Sequence, residues 1–224
     1  MNKDWSEKNK RMQSLIARQA DFRDGISLLT ELRDDLFRQI ASIVSTCPPE
    51  AFYQMPFGGA KGYHSKTLAY SMWHIFRIED IVAHTLILQD SQVLFTDRWR
   101  EKTGSPIITT GNELHGTEIA AFSQQLDIQA VYEYCGAVMH RTNELLQHLE
   151  YKDLKRKFTD ADRERLDESQ CVSTDENAYW LIDYWCGKDV RGLIQMPFSR
   201  HWIMHIEAMC RIRSKLYPSA PDPV

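Results

Sequence analysis

The sequence predicts an all-α protein, built as a four-helix bundle with extra short helices in the connections. Apolar residues recur at steps of three and four over four long segments, which is the spacing of a helix face that packs on a core. No segment alternates between apolar and polar residues as a half-buried strand does. The 224 residues, 43% of them hydrophobic, suit one domain around a single core.

The first long helix is predicted from about Asp24 to Ser45. Its apolar face is formed by Leu28, Leu29, Leu32, Leu36, Ile40, Ile43 and Val44. The prolines at positions 48 and 49 disfavour a helical residue before them, so the helix ends there. We place the bundle domain at 24–216, with 1–23 as a partly helical N-terminal extension and 217–224 as a disordered tail.

The second long helix is predicted to begin after a glycine-rich link, with Ser65 as its N-cap, and to end near Gln89. Its apolar face is formed by Leu68, Met72, Ile75, Val82 and Leu86. The glycines at 104 and 111 and the proline at 106 indicate an irregular connector after it. A short helix is expected to follow Thr117.

The third long helix begins after Asp127, a residue suited to the N-cap. Residues 151–170 are highly charged and predict a solvated hairpin or short helix. The sequence from Ser173 to Glu176 has the pattern of a capping box, which predicts a further helix that Gly187 can close. The last long helix is predicted from Pro197, because proline suits the first helical position, to about Leu216.

Composition argues against several classes of partner. The net charge is −4, the pI is near 6.1 and there is no Lys/Arg run, so the chain lacks the positive surface that nucleic acids or anionic membranes require. No apolar run is long enough to span a bilayer, and the first residues lack a signal-peptide core. Five scattered cysteines without a Cys-x-x-Cys pair indicate reduced thiols, and we expect a cytoplasmic protein.

Two histidines stand four residues apart in the last helix. A helix turns about 100° per residue, so His201 and His205 point the same way and can reach one metal ion. They also fall inside the apolar arc that should face the core. By contrast, His64, His84 and His115 are predicted to lie at the surface.

A second run of metal-binding residue types lies in the third helix. His140, Glu144 and His148 also have four-residue spacing. They lie on the side of the helix away from its apolar face, so they predict a solvated charged stripe.

His74 in the second helix is the stronger candidate for a third ligand. It lies at the border of the apolar face, and Glu79 falls in the middle of that face, where a carboxylate is costly unless it is paired or near a cation. Two simpler interpretations stay open. His74 could bond a backbone carbonyl in the core, and Glu79 could pair with an arginine of another helix.

The order of these residues resembles the DinB/YfiT superfamily of four-helix bundles, often described as metal-dependent hydrolases. The resemblance lies in a histidine early in the second helix, a connector with Gly and Pro, a third helix, and His-x-x-x-His in the last helix, over about residues 24–216. It implies that His74, His201 and His205 bind a metal and that Glu79 is the acidic residue often found after the first histidine. The predicted helix at 173–187 departs from a small member and could cover the site.

Three imidazoles leave a divalent ion with a free position for water or substrate, which is typical of catalytic sites. Zinc or nickel suits this ligand set. The superfamily also includes enzymes that use low-molecular-weight thiols. The resemblance therefore implies a metal-dependent hydrolase or a thiol-dependent transferase acting on a small molecule. Glu79 is expected to hold His74 in one tautomer, or to act as a general base if it reaches the site.

A non-catalytic bundle is the alternative function, with any metal serving structure and the surface binding proteins. The aromatic stretch from Tyr179 to Trp185 is typical of a homodimer interface, although its rings could equally cover the bundle core.

Overall fold

The computed structural model describes residues 2–218, and over this range the chain is all-α. It contains no strand there, only an isolated antiparallel bridge between Lys157 and Asp189. The predicted all-α class is confirmed. No helix in this range is long and apolar enough to cross a membrane. The predicted tail lies outside the described residues from position 219 onward.

The helices in chain order are α1 (Lys3–Ile16), α2 (Phe22–Thr46), α3 (Leu68–Asp80), α4 (Trp99–Lys102), α5 (Thr117–Gln125), α6 (Ile128–His148), α7 (Asp160–Glu168), α8 (Glu176–Cys186), α9 (Val190–Gln195) and α10 (His201–Leu216). Two segments of π-helix extend this set. Ile81–Leu88 continues α3, and Met196–Arg200 joins α9 to α10.

Four helices pack around the main core. α3 contacts α6 and α10, and α2 contacts the same two helices. Leu36, Trp73, Val138 and Met209, one from each helix, are all buried in one apolar cluster. α1 packs along α2 and buries Met12 and Ile16 in a second cluster. The core therefore includes part of the segment that the sequence assigned to an N-terminal extension.

The N-caps of the helices follow local sequence signals, with two corrections. Asp127 caps α6 as predicted, and its side chain accepts from Ala130 N at 2.9 Å. Thr67 rather than Ser65 caps α3, because the Thr67 hydroxyl accepts from Tyr70 N at 3.0 Å. At α8 the cap is Asp175 and not Ser173, so the predicted capping box is wrong although the helix is present.

The last helix begins earlier than predicted. Asp189 caps α9 through Gly192 N at 2.8 Å, and the chain then stays helical through the π turn to Leu216. Pro197 therefore lies inside the helix rather than at its start. A π turn departs from the four-residue hydrogen-bond step that a proline interrupts, and in this turn Ser199 Oγ donates to Ile194 O at 3.0 Å.

α3 is buried on every side, which the helical wheel did not predict. The connector after it crosses the side that the wheel assigned to solvent. Arg77 donates to Ile108 O at 2.7 Å, and Asp80 accepts from the backbone of residues 93 and 94. His84, predicted at the surface, is fully buried with Nδ1 2.5 Å from Asp90 Oδ1.

Candidate metal centre

Three histidines from two distant parts of the chain meet at one point. His74 comes from α3, and His201 and His205 come from successive turns of α10. One ligand atom from each lies within 4.8 Å of the other two, and the ring centroids are 4.5–5.0 Å apart. The structure thus brings together the three ligands that the resemblance implied.

The ring of His74 is oriented by the connector. Its Nδ1 is 2.8 Å from Thr110 O, so Nδ1 carries the proton and Nε2 is left as a free acceptor toward the other two rings. The ring of Tyr70 stacks on that of His74, with centroids 5.4 Å apart and 12° between the planes. Tyr70 is itself held, because its hydroxyl donates to Gly111 O at 3.0 Å.

Four successive backbone carbonyls of the connector bind side chains of α3 in the same way as Thr110 O binds His74. Each accepts a hydrogen bond from a side chain of α3: Ile108 O from Arg77, Thr109 O from Trp73, Thr110 O from His74 and Gly111 O from Tyr70. Residues 108–111 therefore lie along α3 as a strap. This strap fixes the tautomer of His74, which the sequence analysis had assigned to Glu79.

The unmatched ring nitrogens indicate that a cation fits this cluster. Within residues 2–218, neither nitrogen of His205 nor Nδ1 of His201 has a hydrogen-bond partner, and the two side chains are only 2% and 7% exposed. A buried polar group without a partner costs roughly 1–3 kcal/mol. A metal bound through one nitrogen of each ring removes part of that cost.

One of the distances between the rings already suits a shared ion. His74 Nε2 and His201 Nε2 are 3.2 Å apart. Two nitrogens that each lie about 2.0–2.1 Å from a tetrahedral ion are about 3.3–3.4 Å apart, so this pair needs almost no movement to bind one metal. Imidazole suits zinc and nickel among other divalent ions.

All three imidazoles are kept neutral, which is the form that binds metal. Burial lowers the pKa of His74 to about 4, an effect that the hydrogen bond to Thr110 opposes and the charge of Lys66 strengthens. The pKa values of His201 and His205 lie well below the usual range, first because of burial and then because of the neighbouring histidines. Competition from protons at these nitrogens is therefore weak near neutral pH.

Glu79 does not contact the histidines. Its carboxylate is fully buried and binds Arg33 of α2 through two contacts of 2.6 and 2.8 Å. Its Oε2 also accepts from Trp202 Nε1 at 2.8 Å. The structure therefore contains the alternative interpretation, an ion pair with an arginine of another helix, and Thr110 O rather than Glu79 is the hydrogen-bond partner of His74.

The remaining histidines lie apart from this centre. His140 and His148 are exposed on α6, as predicted for a solvated stripe. His115 is exposed, and His64 is half-buried with Nε2 3.0 Å from Arg211. Of the five other histidines, only His84 is fully buried against the prediction of a surface position.

The histidine cluster forms the floor of a pocket of about 250 Å³. Its other lining residues are Tyr63, Ile78, Asn112, Trp180, Leu181, Tyr184, Trp185, Met196 and Pro197. α8, the predicted insertion, therefore covers the centre but leaves a cavity beside it. The aromatic stretch therefore has a second explanation, because it lines this pocket with Trp180, Tyr184 and Trp185. Homodimerisation stays a prediction.

Comparisons with known proteins give the fold and not the chemistry. No protein-family model matches this chain, and no curated protein matches it either. The chain is similar to a solved structure described as the "conserved protein of locus from Enterococcus faecalis", with a TM-score of 0.61. That match covers 86% of this chain and 97% of the other at 15% identity, so it shows a shared fold alone.

Proposed function

We propose that this chain is a metal-dependent enzyme in which His74, His201 and His205 hold a divalent ion with an open coordination position. The observation that carries the proposal is the convergence of three buried imidazoles at the floor of a pocket that can admit a small molecule. Zinc and nickel are the ions that we favour. The reaction classes are hydrolysis and thiol-dependent group transfer.

Membership of the DinB/YfiT superfamily is part of this proposal. The chain order of the three histidines supports it, as does the packing of α2, α3, α6 and α10 around one core. The connector between α3 and α5 adds a further supporting feature, because the carbonyl of Thr110 orients the first histidine.

The residues of the chain have distinct tasks in this proposal. Thr110 O holds His74 in the tautomer that presents Nε2, and the apolar wall limits the access of water. A divalent ion at this position would act as a Lewis acid and would lower the pKa of a water or thiol in its open position. No carboxylate lines the pocket in the described part of the chain, so no side-chain general base of that type is part of the proposal.

Metal content tests the ligand assignment. The purified chain should contain about one divalent ion by mass spectrometry, and His74→Ala or His201→Ala should reduce that content several-fold. His148→Ala is the matched control, because His148 is exposed and lies outside the cluster. Metal-free protein that shows no uptake from added zinc, nickel or cobalt would refute the proposal.

Access to the ion separates an enzyme from a structural metal site. The visible spectrum of the cobalt-loaded protein should change when azide or a small thiol is added, because an open position accepts an exogenous ligand. A four-coordinate spectrum that no added ligand alters would instead support the structural role. That result would leave the ligand assignment intact and remove the catalytic proposal.

A further inference from the structure

The walls of the pocket above the histidines are apolar. Ile78 of α3 is 4% exposed, and Leu181 and Trp185 of α8 are 3% and 1% exposed. Met196 and Pro197 of the π turn complete this side. A ligand group placed against them exchanges water for hydrocarbon surface, which favours an apolar group.

The rim of the pocket consists of aromatic rings. Trp180 is 49% exposed, and Tyr63 is 37% exposed with its ring centroid 4.6 Å from that of His205. Trp180 is held in place, since its Nε1 donates to Asn177 O at 2.9 Å and its ring packs 5.6 Å from that of Tyr184. These rings therefore present apolar faces at the entrance.

Charged side chains are missing from this surface. Among the residues that the structure describes, no Asp, Glu, Lys or Arg lines the pocket, and Asn112 supplies the amide there. Lys66 affects the pKa of His74 and His205, but its ammonium group lies 4.6 Å from the ring centroid of Tyr70 and does not line the cavity. A charged ligand group in the pocket would lose its hydration without gaining an ion pair, which is unfavourable.

We propose that this pocket selects neutral substrates that carry an aromatic or aliphatic group next to the atom that binds the metal. The inference rests on the metal site proposed above and adds the substrate class. It separates two kinds of thiol cosubstrate: an uncharged thiol fits, whereas a thiol carrying several carboxylates or ammonium groups does not fit inside the cavity.

Three hydroxamates test this selection on the cobalt-loaded full-length chain. Acetohydroxamate, benzohydroxamate and 4-carboxybenzohydroxamate share one metal-binding group and differ only in the part that meets the wall. Affinity is read from the cobalt spectrum. Benzohydroxamate should bind at least about tenfold more tightly than acetohydroxamate, because its ring is buried. The added carboxylate should remove most of that gain.

Two neighbouring aromatic residues give a matched pair of variants. Trp180→Ala removes a rim ring and should lower the preference for benzohydroxamate over acetohydroxamate at least about threefold. Tyr179→Ala is the control, because Tyr179 is 41% exposed in the same helix but does not line the pocket. The Tyr179→Ala variant should prefer benzohydroxamate over acetohydroxamate as strongly as the unchanged protein does.

Each outcome decides between the two proposals. If cobalt does not bind, the metal site and the substrate class both fail. If cobalt binds and acetohydroxamate shifts its spectrum, but benzohydroxamate binds no more tightly, the selection for apolar groups is refuted and the open metal site stands. Tightest binding of the carboxylated probe would also refute it. That result would point to a cation reaching the pocket, such as Lys66 or Arg200, whose charge acts on the rim residue Tyr63.

Discussion

The buried pair between Arg33 and Glu79 gives a prediction whose size follows from its geometry. Both side chains are 0% exposed, and the guanidinium and carboxylate meet through two contacts of 2.6 and 2.8 Å. Glu79→Leu would leave the guanidinium buried without its counter-ion. Loss of one partner from such a pair costs about 3–5 kcal/mol in the free energy of unfolding. Arg33→Met should cost a similar amount for the same reason.

The double variant should lose far less than the sum of the single variants. With both charges gone, no unpaired ion remains, and the remaining cost comes from the neutral groups that lose a hydrogen-bond partner. The buried ones are Phe198 O, which accepts from Arg33 at 3.1 Å, and Trp202 Nε1, which donates to Glu79. Asn143 Oδ1, which accepts from Arg33 at 2.9 Å, belongs to a half-buried residue and can bind water instead. At roughly 1–3 kcal/mol each the buried groups give about 2–6 kcal/mol, against about 6–10 kcal/mol for the sum. The midpoints of these two ranges differ by about 4 kcal/mol, so the coupling energy should exceed about 2 kcal/mol.

Urea unfolding followed by circular dichroism measures these values. In a domain of this size 1 kcal/mol corresponds to about 2–4 °C in Tm, so each single variant should melt about 6–20 °C lower. The control cycle uses Arg141 and Glu144, an exposed pair of the same residue types with a 3.1 Å contact. Its coupling should stay below about 1 kcal/mol. Additive losses at Arg33 and Glu79 would refute the reasoning.

Three further predictions concern the metal, the strap at residues 108–111 and the buried carboxylate of Asp80. Removal of the ion by a chelator should lower Tm by about 5–10 °C, since a ligand at a hundred times its Kd stabilises by about 2.7 kcal/mol; an unchanged calorimetric Tm would contradict this. Gly111→Ala should weaken metal binding in a titration, because Gly111 has a φ of +80° and an added Cβ would lie 3.0 Å from Tyr70. Unchanged affinity would show that the strap does not orient the ligand. Tyr134→Phe should cost about 1–3 kcal/mol in urea unfolding, because its hydroxyl donates to buried Asp80 at 2.8 Å; a loss below about 0.5 kcal/mol would contradict it.

Periodicity predicted the helices that have one apolar face. α2 lies within about two residues of the predicted bounds, and α6 begins directly after Asp127 as predicted, because each helix exposes the side opposite its apolar face. The signals at helix ends act over three or four residues, and the sequence shows them directly. The same reasoning gave the pairing of His201 with His205, which depends only on helical spacing.

The burial of α3 could not be predicted in this way. A wheel assigns polar residues to solvent, but Arg77 and Asp80 instead bind the backbone of a connector whose residues follow no period. Hydrogen bonds to consecutive carbonyls leave no pattern in the sequence of the connector, because every residue offers the same carbonyl group. The strap that orients His74 could therefore not be predicted from the sequence, although His74 itself was identified as a candidate ligand.

The role of Glu79 shows how a partner could have been inferred. Arg33 lies on the apolar face of α2, between Leu32 and Leu36, and Glu79 lies on the apolar face predicted for the second helix. Each is unfavourable alone, so two opposite charges at core positions of two helices predict each other. The pair is also connected to the site, because Arg33 donates a hydrogen bond to Phe198 O in the π turn immediately before His201. Glu79 therefore bears on the metal centre through the position of α10, by holding Arg33 and Trp202, rather than through contact with a ligand.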